Sequence, residues 1–493
     1  MTATANRKGP RRRLRRHVQS DAILYLGILC GLIVFLSHGF LIDLPYHWDE
    51  IRTYIPATFH LYRHGEWPGT QPPGLMLYLA AAWKLFWPGI WVTRAAMLLV
   101  GTFALLAAFL LGIELCAYVE GFPALLGILF LALSPLCFSQ AILAQPDVPA
   151  MLFTCLGLYW FIRERMIWAA AACLVLVLTR DTGMVLPLVL AAWLGWERRY
   201  RHCAFFLAPV LVSLCGIVWF GQGIGMPSIS RTGVALVRYL FFLGVEQGHL
   251  LALAGIAVAG WTGVFNHRRW KVAGLFVAVF VLVVSAFGGP PAERAMLPVL
   301  PVLYMAAAAG FVSVPLRTRA VLAGCFTVLL VMTLFWHPPL WPYPYENNLA
   351  MVDFVRLQQQ VAIYLEQEHA NDVVTTAWPL SAALRQPEFG YVRNGFRTDE
   401  ELNFSADRFL KRPQGSVRLF VLYSRDWDPS PRMLNSRVGR WLSRHWLGYG
   451  DPLTGQELER KLGLQLVRRM GRSQFWAEVY TLPQSATSAP GKD

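Results

Sequence analysis

Two adjacent acidic residues, Asp49 and Glu50, follow the first apolar segment that is long enough to cross a membrane. Ionised groups at a membrane boundary are costly unless they face water or a partner, so this pair forms a functional-site hypothesis. Carboxylates can accept protons, which makes acid–base chemistry the first expectation. Adjacent residues of a helix point about 100° apart, so both cannot serve one proton. Asp49 is the predicted base, and Glu50 is expected to orient or pack beside it.

Composition indicates a membrane protein with many spans. Of the 493 residues 55% are hydrophobic, 15% are charged and 19 are Trp, and the mean hydropathy is +0.42. Residues 1–336 hold 25 basic and 13 acidic side chains, whereas residues 337–493 hold 19 and 17. The positive charge therefore belongs to the apolar part of the chain.

Seven basic residues lie within the first sixteen, and they predict a basic cytoplasmic tail over residues 1–20. A nucleic-acid-binding tail is discarded because the cluster directly precedes an apolar run, and no nucleic acid partner is expected. That run, residues 22–42, is too long for an ordinary signal peptide and has no cleavage site, which favours a retained anchor. The eight Cys lie in or beside apolar runs, so neither a disulfide framework nor a thiolate metal site is predicted.

The predicted fold is a multi-span α-helical membrane domain over residues 21–336 with about eleven spans and a long first outer loop, 43–91. The apolar segments are 22–42, 92–112, 122–142, 148–162, 166–179, 183–196, 203–221, 248–265, 272–287, 295–314 and 320–336. Helical spacing in the outer loop predicts two helices in the membrane interface, near 51–62 and 75–87.

Basic loops resist translocation, so the loops that contain Arg163, Arg199, Arg268 and Arg319 predict a cytoplasmic N-terminus in the inner (plasma) membrane. The same alternation places four acid-bearing loops on the outer side, where they are expected to line one cavity: Asp49–Glu50, Gln145–Asp147, Arg180–Asp181 and Glu293–Arg294.

Residues 337–493 are predicted to form an extracytoplasmic α/β domain, because a linker rich in Pro and aromatic residues leads into charged, amphipathic sequence. Helices are expected over 348–368 and 455–462, and strands over 372–376, 417–423 and 475–481. The last ten residues are expected to be disordered.

The chain resembles the GT-C class of polyprenyl-phosphate-dependent glycosyltransferases, in the branch of the protein O-mannosyltransferases and the lipid A aminoarabinose transferases. The motifs that carry the resemblance are Trp48-Asp49-Glu50 with Tyr54, Gln71-Pro72-Pro73-Gly74, Arg94, Gln145-Pro146-Asp147, Arg180-Asp181-Thr182-Gly183, and Glu293-Arg294 with Leu297, Pro298 and Pro301. Gln71 and the Arg180-Asp181 pair depart from the residues that are usual in this family, so the identity of the sugar donor stays open.

The resemblance implies that a sugar passes from a polyprenyl phosphate to an unknown acceptor at the outer face, with Asp49 as base and Asp147 as a second acid that positions the acceptor or a metal. The expected phosphate ligands are Arg294 and Arg180, followed by Arg94 and Lys84. Tyr54, Asp181 and Glu293 are expected to support the site. Each of these residues also has a purely structural alternative. Arg180 could pair with Asp181 and Arg294 with Glu293, Asp147 could cap its helix, and Arg94 and Lys84 could be interfacial anchors.

A divalent ion stays an option, although no His or carboxylate spacing predicts its ligands. Two other classes remain open, a polytopic transporter or lipid flippase and an assembly component of the cell envelope. Transport is the weaker hypothesis, because the charges gather at one face and the sequence shows no inverted repeat.

Labelling tests the orientation. A cysteine at position 49, in a background without native cysteines, is expected to react with an impermeant maleimide added to intact cells, because the charge rule places this loop outside. A cysteine at position 199 is the control, expected to react only after the cells are permeabilised. The reverse pattern would contradict the orientation.

Overall fold

The computed structural model describes residues 25–69, 71–219, 229–287, 292–337 and 344–401, and, with short gaps, most of residues 404–483. The predicted basic tail, 1–20, and the last ten residues lie outside the described part of the chain.

The segment predicted as the first outer loop, residues 43–91 and called the outer loop below, is built from helices, as predicted. The first helix, α1, is Tyr25–Leu41. A π-helical turn at Glu50–Tyr54 then continues into α2, Ile55–His64, and α3 is Gly74–Leu85. Gly65 caps the C-terminal end of α2, and its φ of 72° is a left-handed conformation that favours glycine.

Twelve further helices of the apolar region follow within the described residues. They are α4 (Ile90–Leu115), α5 (Pro123–Leu133), α6 (Pro135–Gln140), α7 (Asp147–Ile162), α8 (Met166–Thr179), α9 (Val185–Trp196), α10 (Tyr200–Trp219), α11 (Ile229–Gly244), α12 (His249–Trp261), α13 (Arg268–Phe287), α14 (Leu300–Val312) and α15 (Leu316–Phe335).

Breaks separate several of these helices. Pro135 forces Ser134 into an extended conformation between α5 and α6. Arg180 is extended between α8 and the 3-10 turn Asp181–Met184, which leads into α9. A second 3-10 turn, Glu293–Val299, precedes α14. Two of these breaks therefore place charged residues at the ends of apolar helices.

The predicted eleven spans are not confirmed. Within the described residues four helices are long and apolar enough to cross a membrane, and a fifth is obtained if Thr232–Gly244 and Glu246–Trp261, bent by 50°, form one span. Seven further apolar helices are shorter, with 10–17 residues each. Helix α11 was not predicted, since Arg231 and Arg238 lower its hydropathy.

One end of the bundle carries a layer of ion pairs from the predicted basic loops. Arg163 contacts Glu114 at 2.8 Å, and Arg268 contacts Glu197 at 2.6 Å. Three more residues join this layer: Glu164, Arg199 and Arg269. The predicted site residues lie at the opposite helix ends.

The C-terminal part forms an α/β unit, as predicted. Helix α16 is Ala350–Glu368 and α17 is Leu380–Arg385. The five strands are β1 (Val374–Ala377), β2 (Thr398–Glu401), β3 (Leu419–Tyr423), β4 (Gln465–Arg472) and β5 (Phe475–Thr481). The sheet order is β2-β1-β3-β5-β4; β1 is parallel to β2 and β3, and β5 is antiparallel to β3 and β4. Strands β2 and β4 were missed, because charged side chains on these edge strands hide the usual apolar pattern.

The α/β unit packs directly on the outer loop through one hydrophobic core, to which Tyr46, Trp83, Phe354 and Tyr423 belong. The Tyr391 hydroxyl donates to the Tyr46 carbonyl at 2.9 Å. This shared core fixes the α/β unit beside the loop that carries Asp49.

Candidate active site

Arg294 lies at the centre of the site. Its Nη2 group is paired with Asp49, and its Nη1 group donates to Glu346 Oε2 at 2.8 Å and to Gln145 Oε1 at 2.9 Å. Its Nε atom is 3.8 Å from Asp147 Oδ2. The structure therefore brings together three of the predicted outer loops, and it adds a carboxylate from the connection to the α/β unit.

Asp147 joins Arg294 to a second arginine, because its other oxygen is paired with Arg180. The Asp147 side chain is only 2% exposed, whereas that of Arg180 is 18% exposed. Asp147 occupies the first turn of α7, where the helix dipole stabilises negative charge. The alternative pairs between sequence neighbours, Arg180 with Asp181 and Arg294 with Glu293, do not form.

Glu50 and Arg94 form a fully buried pair beneath this cluster, with both side chains 0% exposed. Arg94 binds Glu50 through two nitrogens, at 2.6 and 3.0 Å. Its remaining donors reach the carbonyls of Leu44, Pro45 and Ile142. The donors of Arg94 are therefore enclosed and engaged, and the structure gives no support to the prediction that it binds the donor phosphate.

The contacts of Glu50 are consistent with the supporting role that its position predicts. Its carboxylate also accepts from the backbone N–H of Ala144 at 2.6 Å and of His47 at 2.7 Å. The pair thus ties the turn before Asp49 to the segment before Asp147. A direct catalytic role for Glu50 is not supported, since its carboxylate is buried and engaged on both oxygens.

Tyr54 lies within the electrostatic reach of the cluster. Burial raises the pKa of its phenol, as do the nearby charges of Asp147 and Asp49, while Arg294 and Arg180 act in the opposite direction. The phenol therefore stays protonated at neutral pH and keeps a proton to donate. This position is consistent with the predicted supporting role.

The other predicted residues lie outside the central cluster. Glu293 is 2% exposed and binds Arg238 Nε at 2.5 Å. Asp181 is exposed and forms no ion pair among the described residues. Lys84 is exposed in the last turn of α3, and nothing in the described structure links it to the cluster, so its phosphate-binding role stays untested.

Four residues near the cluster were missed as site residues: His47, Gln145, Arg238 and Glu346. His47 is buried, and burial, with Arg94 and Arg294, lowers its pKa to about 3, so the ring is neutral. Gln145 belongs to the Gln145-Pro146-Asp147 motif, and this motif was the sequence signal that could have identified it. Arg238 belongs to the unpredicted α11, and Glu346 directly follows the segment interpreted as a linker, residues 337–345.

No group of three or more His, Cys, Asp or Glu side chains within the described residues is arranged to hold a metal ion. The optional divalent ion therefore stays an untested expectation.

No family model matches the chain, and no curated protein matches its sequence. Among solved structures the chain is similar to ArnT from Cupriavidus metallidurans, in the apo state and bound to undecaprenyl phosphate. The TM-score is 0.53 and the identity 15%, with 94% of this chain and 98% of that chain covered. An oligosaccharyltransferase from Archaeoglobus fulgidus gives a TM-score of 0.46 and 9% identity, with 80% of this chain and 67% of that chain covered. The likeness to ArnT confirms the predicted GT-C fold.

Arg94→Met tests the buried pair. The change leaves the Glu50 carboxylate without its cation, and it should destabilise the protein by about 3–5 kcal/mol, measured by thermal unfolding in detergent. Arg63→Met is the matched control: Arg63 pairs with Glu388 at 2.9 Å on the surface, and its loss should cost less than about 1 kcal/mol. Equal effects of the two changes would contradict a scaffolding role for Arg94.

Proposed function

We propose that this chain is an integral membrane glycosyltransferase that moves a sugar from a polyprenyl-phosphate donor to an acceptor at the outer face of the membrane. The observation that carries the proposal is the convergence of Asp49, Asp147, Arg180 and Arg294 in one cluster. The fold is shared with ArnT, which was solved bound to undecaprenyl phosphate.

Asp49 is suited to act as the base. Its side chain is 23% exposed, and one carboxylate oxygen pairs with Arg294. The other oxygen has no partner among the described residues, so it is available to an incoming hydroxyl. Removal of the proton makes the acceptor oxygen a better nucleophile for the anomeric carbon. As the bond between the acceptor oxygen and the anomeric carbon forms, the bond from the anomeric carbon to the phosphate oxygen breaks. The resemblance implies that the configuration at the anomeric carbon is inverted.

Of the two arginines in the cluster, Arg180 is a better candidate than Arg294 for the first contact with the lipid phosphate. Among the described residues it is engaged only through Nη1, which leaves donors on Nε and Nη2 for phosphate oxygens. A fixed cation there stabilises the negative charge that develops on the leaving group. Asp147, held by both arginines, positions them.

An apolar cavity of about 780 Å³ supports a lipid donor. Residues from α1, α4, α5, α7, α14 and α15 line it, including Val148, the residue after Asp147. A long hydrocarbon chain can be buried there while its phosphate stays near the cluster. The transporter alternative has less support, because Asp147 and Arg294 of the central cluster lie together at one set of helix ends.

Asp49→Asn tests the base. The amide cannot accept the proton, so sugar transfer should fall at least about 100-fold while the protein stays folded. Mass spectrometry of envelope lipids, glycans and glycoproteins, with and without the gene, identifies the product to be followed. Asp43→Asn is the control, an exposed acid of the same loop that should retain activity. Full activity of Asp49→Asn would remove the central assignment.

Arg180→Gln tests the phosphate contact. Loss of the cation should raise the KM for the lipid donor about tenfold or more and leave the KM for the acceptor nearly unchanged. Arg165→Gln, at the other end of α8, removes an exposed arginine that forms no ion pair with any described residue, and it should leave both constants unchanged. An effect on the acceptor KM alone would contradict the assignment.

A further inference from the structure

The apolar cavity reaches the end of the bundle that is opposite to the ion cluster. Near the cluster its lining includes Phe138 and Val148, and at the other end it includes Phe122 and Arg319. Arg319 lies in the first turn of α15, beside the end of α14. Of the described residues that line the cavity, Arg319 alone carries a full charge. The cavity therefore combines a long apolar wall with one cation at its far end.

The guanidinium of Arg319 is held in a fixed position. Its Nη2 group donates to the Val312 carbonyl at 2.7 Å. Its Nη1 group lies against Gly121, where a Cβ atom would stand 3.1 Å from this nitrogen. Its Nε atom has no hydrogen-bond partner among the described residues. An arginine can donate five hydrogen bonds, and the described part of the chain accepts only one of them.

The charge of Arg319 is not matched within the described structure. At the same end of the bundle, Arg163 and Arg268 are paired with glutamates, whereas no described carboxylate pairs with Arg319. Glu120, next to Gly121, is exposed and is in no described ion pair. The segment before α1 is a poor source of an anion, because seven of the eight ionised side chains in residues 1–24 are basic. An anion from outside the chain is therefore the fitting partner.

The cavity matches one acyl chain of a membrane lipid. Leu29, Ile33 and Leu129 line it and are exposed, so it opens to the surroundings of the bundle. On α1 its lining runs from Leu26 to His38, which spans about 18 Å along the helix. Half of the hydrocarbon core of a bilayer is about 15 Å thick. The length of the cavity thus corresponds to the depth of one leaflet.

We propose that Arg319 and this cavity form a binding site for an anionic phospholipid, with the phosphate on Arg319 and one acyl chain in the cavity. Basic pockets between membrane helices bind anionic headgroups in this way, and arginine offers paired donors to phosphate oxygens. The site lies at the opposite end of the bundle from Arg180 and Arg294. The donor chain proposed above uses the same cavity from that other end, so the two lipids compete for it.

Lipid binding to the purified full chain, measured by native mass spectrometry, tests the proposal. The probes are dioleoylphosphatidylglycerol, which is anionic, and dioleoylphosphatidylcholine, which has the same chains and no net charge. The wild-type protein should bind the anionic lipid more tightly. Arg319→Gln should weaken binding of the anionic lipid about tenfold or more and bring it to the level of the neutral lipid. Arg319→Lys keeps the charge and should keep most of the binding.

Two further variants separate this site from a general attraction of surface charge. Arg317→Gln is the matched control, because Arg317 is exposed in the same helical turn and does not line the cavity. It should change the affinity by less than about twofold. Ala320 is exposed and lines the cavity, so Ala320→Phe narrows the cavity while the cation stays. It should also weaken binding of the anionic lipid.

Equal losses in Arg317→Gln and Arg319→Gln would overturn the site, as would full binding by Ala320→Phe. Undecaprenyl phosphate is the third probe, and its affinity should be the same in the wild-type protein and in Arg319→Gln. A loss as large as that of phosphatidylglycerol would overturn the assignment to a phospholipid. Failure of the wild-type protein to bind undecaprenyl phosphate would count against the proposed function alone, because the phospholipid site does not depend on it.

Discussion

The ion cluster around Arg294 is the interaction on which the rest of the structure depends. A guanidinium that is 16% exposed at the end of apolar helices is stable only if anionic groups surround it. Its partners come from the outer loop, the start of α7 and the connection to the α/β unit. Each of these segments must therefore dock correctly before the cluster is complete, which couples the fold of the whole chain to one site.

The buried Glu50–Arg94 pair gives this cluster its rigid base. It binds the turn before Asp49 to the segment around Ile142 and Ala144, so that two distant parts of the chain keep a fixed separation. The α/β unit extends the same arrangement, because it shares a core with the outer loop and its connection delivers Glu346. The connection to this unit is therefore part of the site.

Much of the site was predictable, because ionised residues beside apolar helices need a shared polar environment. Asp49, Asp147, Arg180 and Arg294 converge for this reason. Their exact partners were not predictable, since neighbours in sequence compete with residues far along the chain, and Arg180 pairs with Asp147 rather than Asp181. The burial of Arg94 could not be predicted, because the sequence does not show whether an arginine near a helix end is exposed or forms a buried ion pair. In the fold, β2 and β4 were hidden by charged edge positions, and breaks within apolar segments made the count of spans uncertain.

A structure by electron cryomicroscopy, with undecaprenyl phosphate bound to the protein in nanodiscs, tests the central claim most directly. The account predicts phosphate oxygens about 2.8 Å from guanidinium nitrogens of Arg180 and Arg294, on the side of the cluster that Asp49 faces. A phosphate bound away from both arginines, or among the ion pairs around Arg268 at the other end of the bundle, would contradict the account.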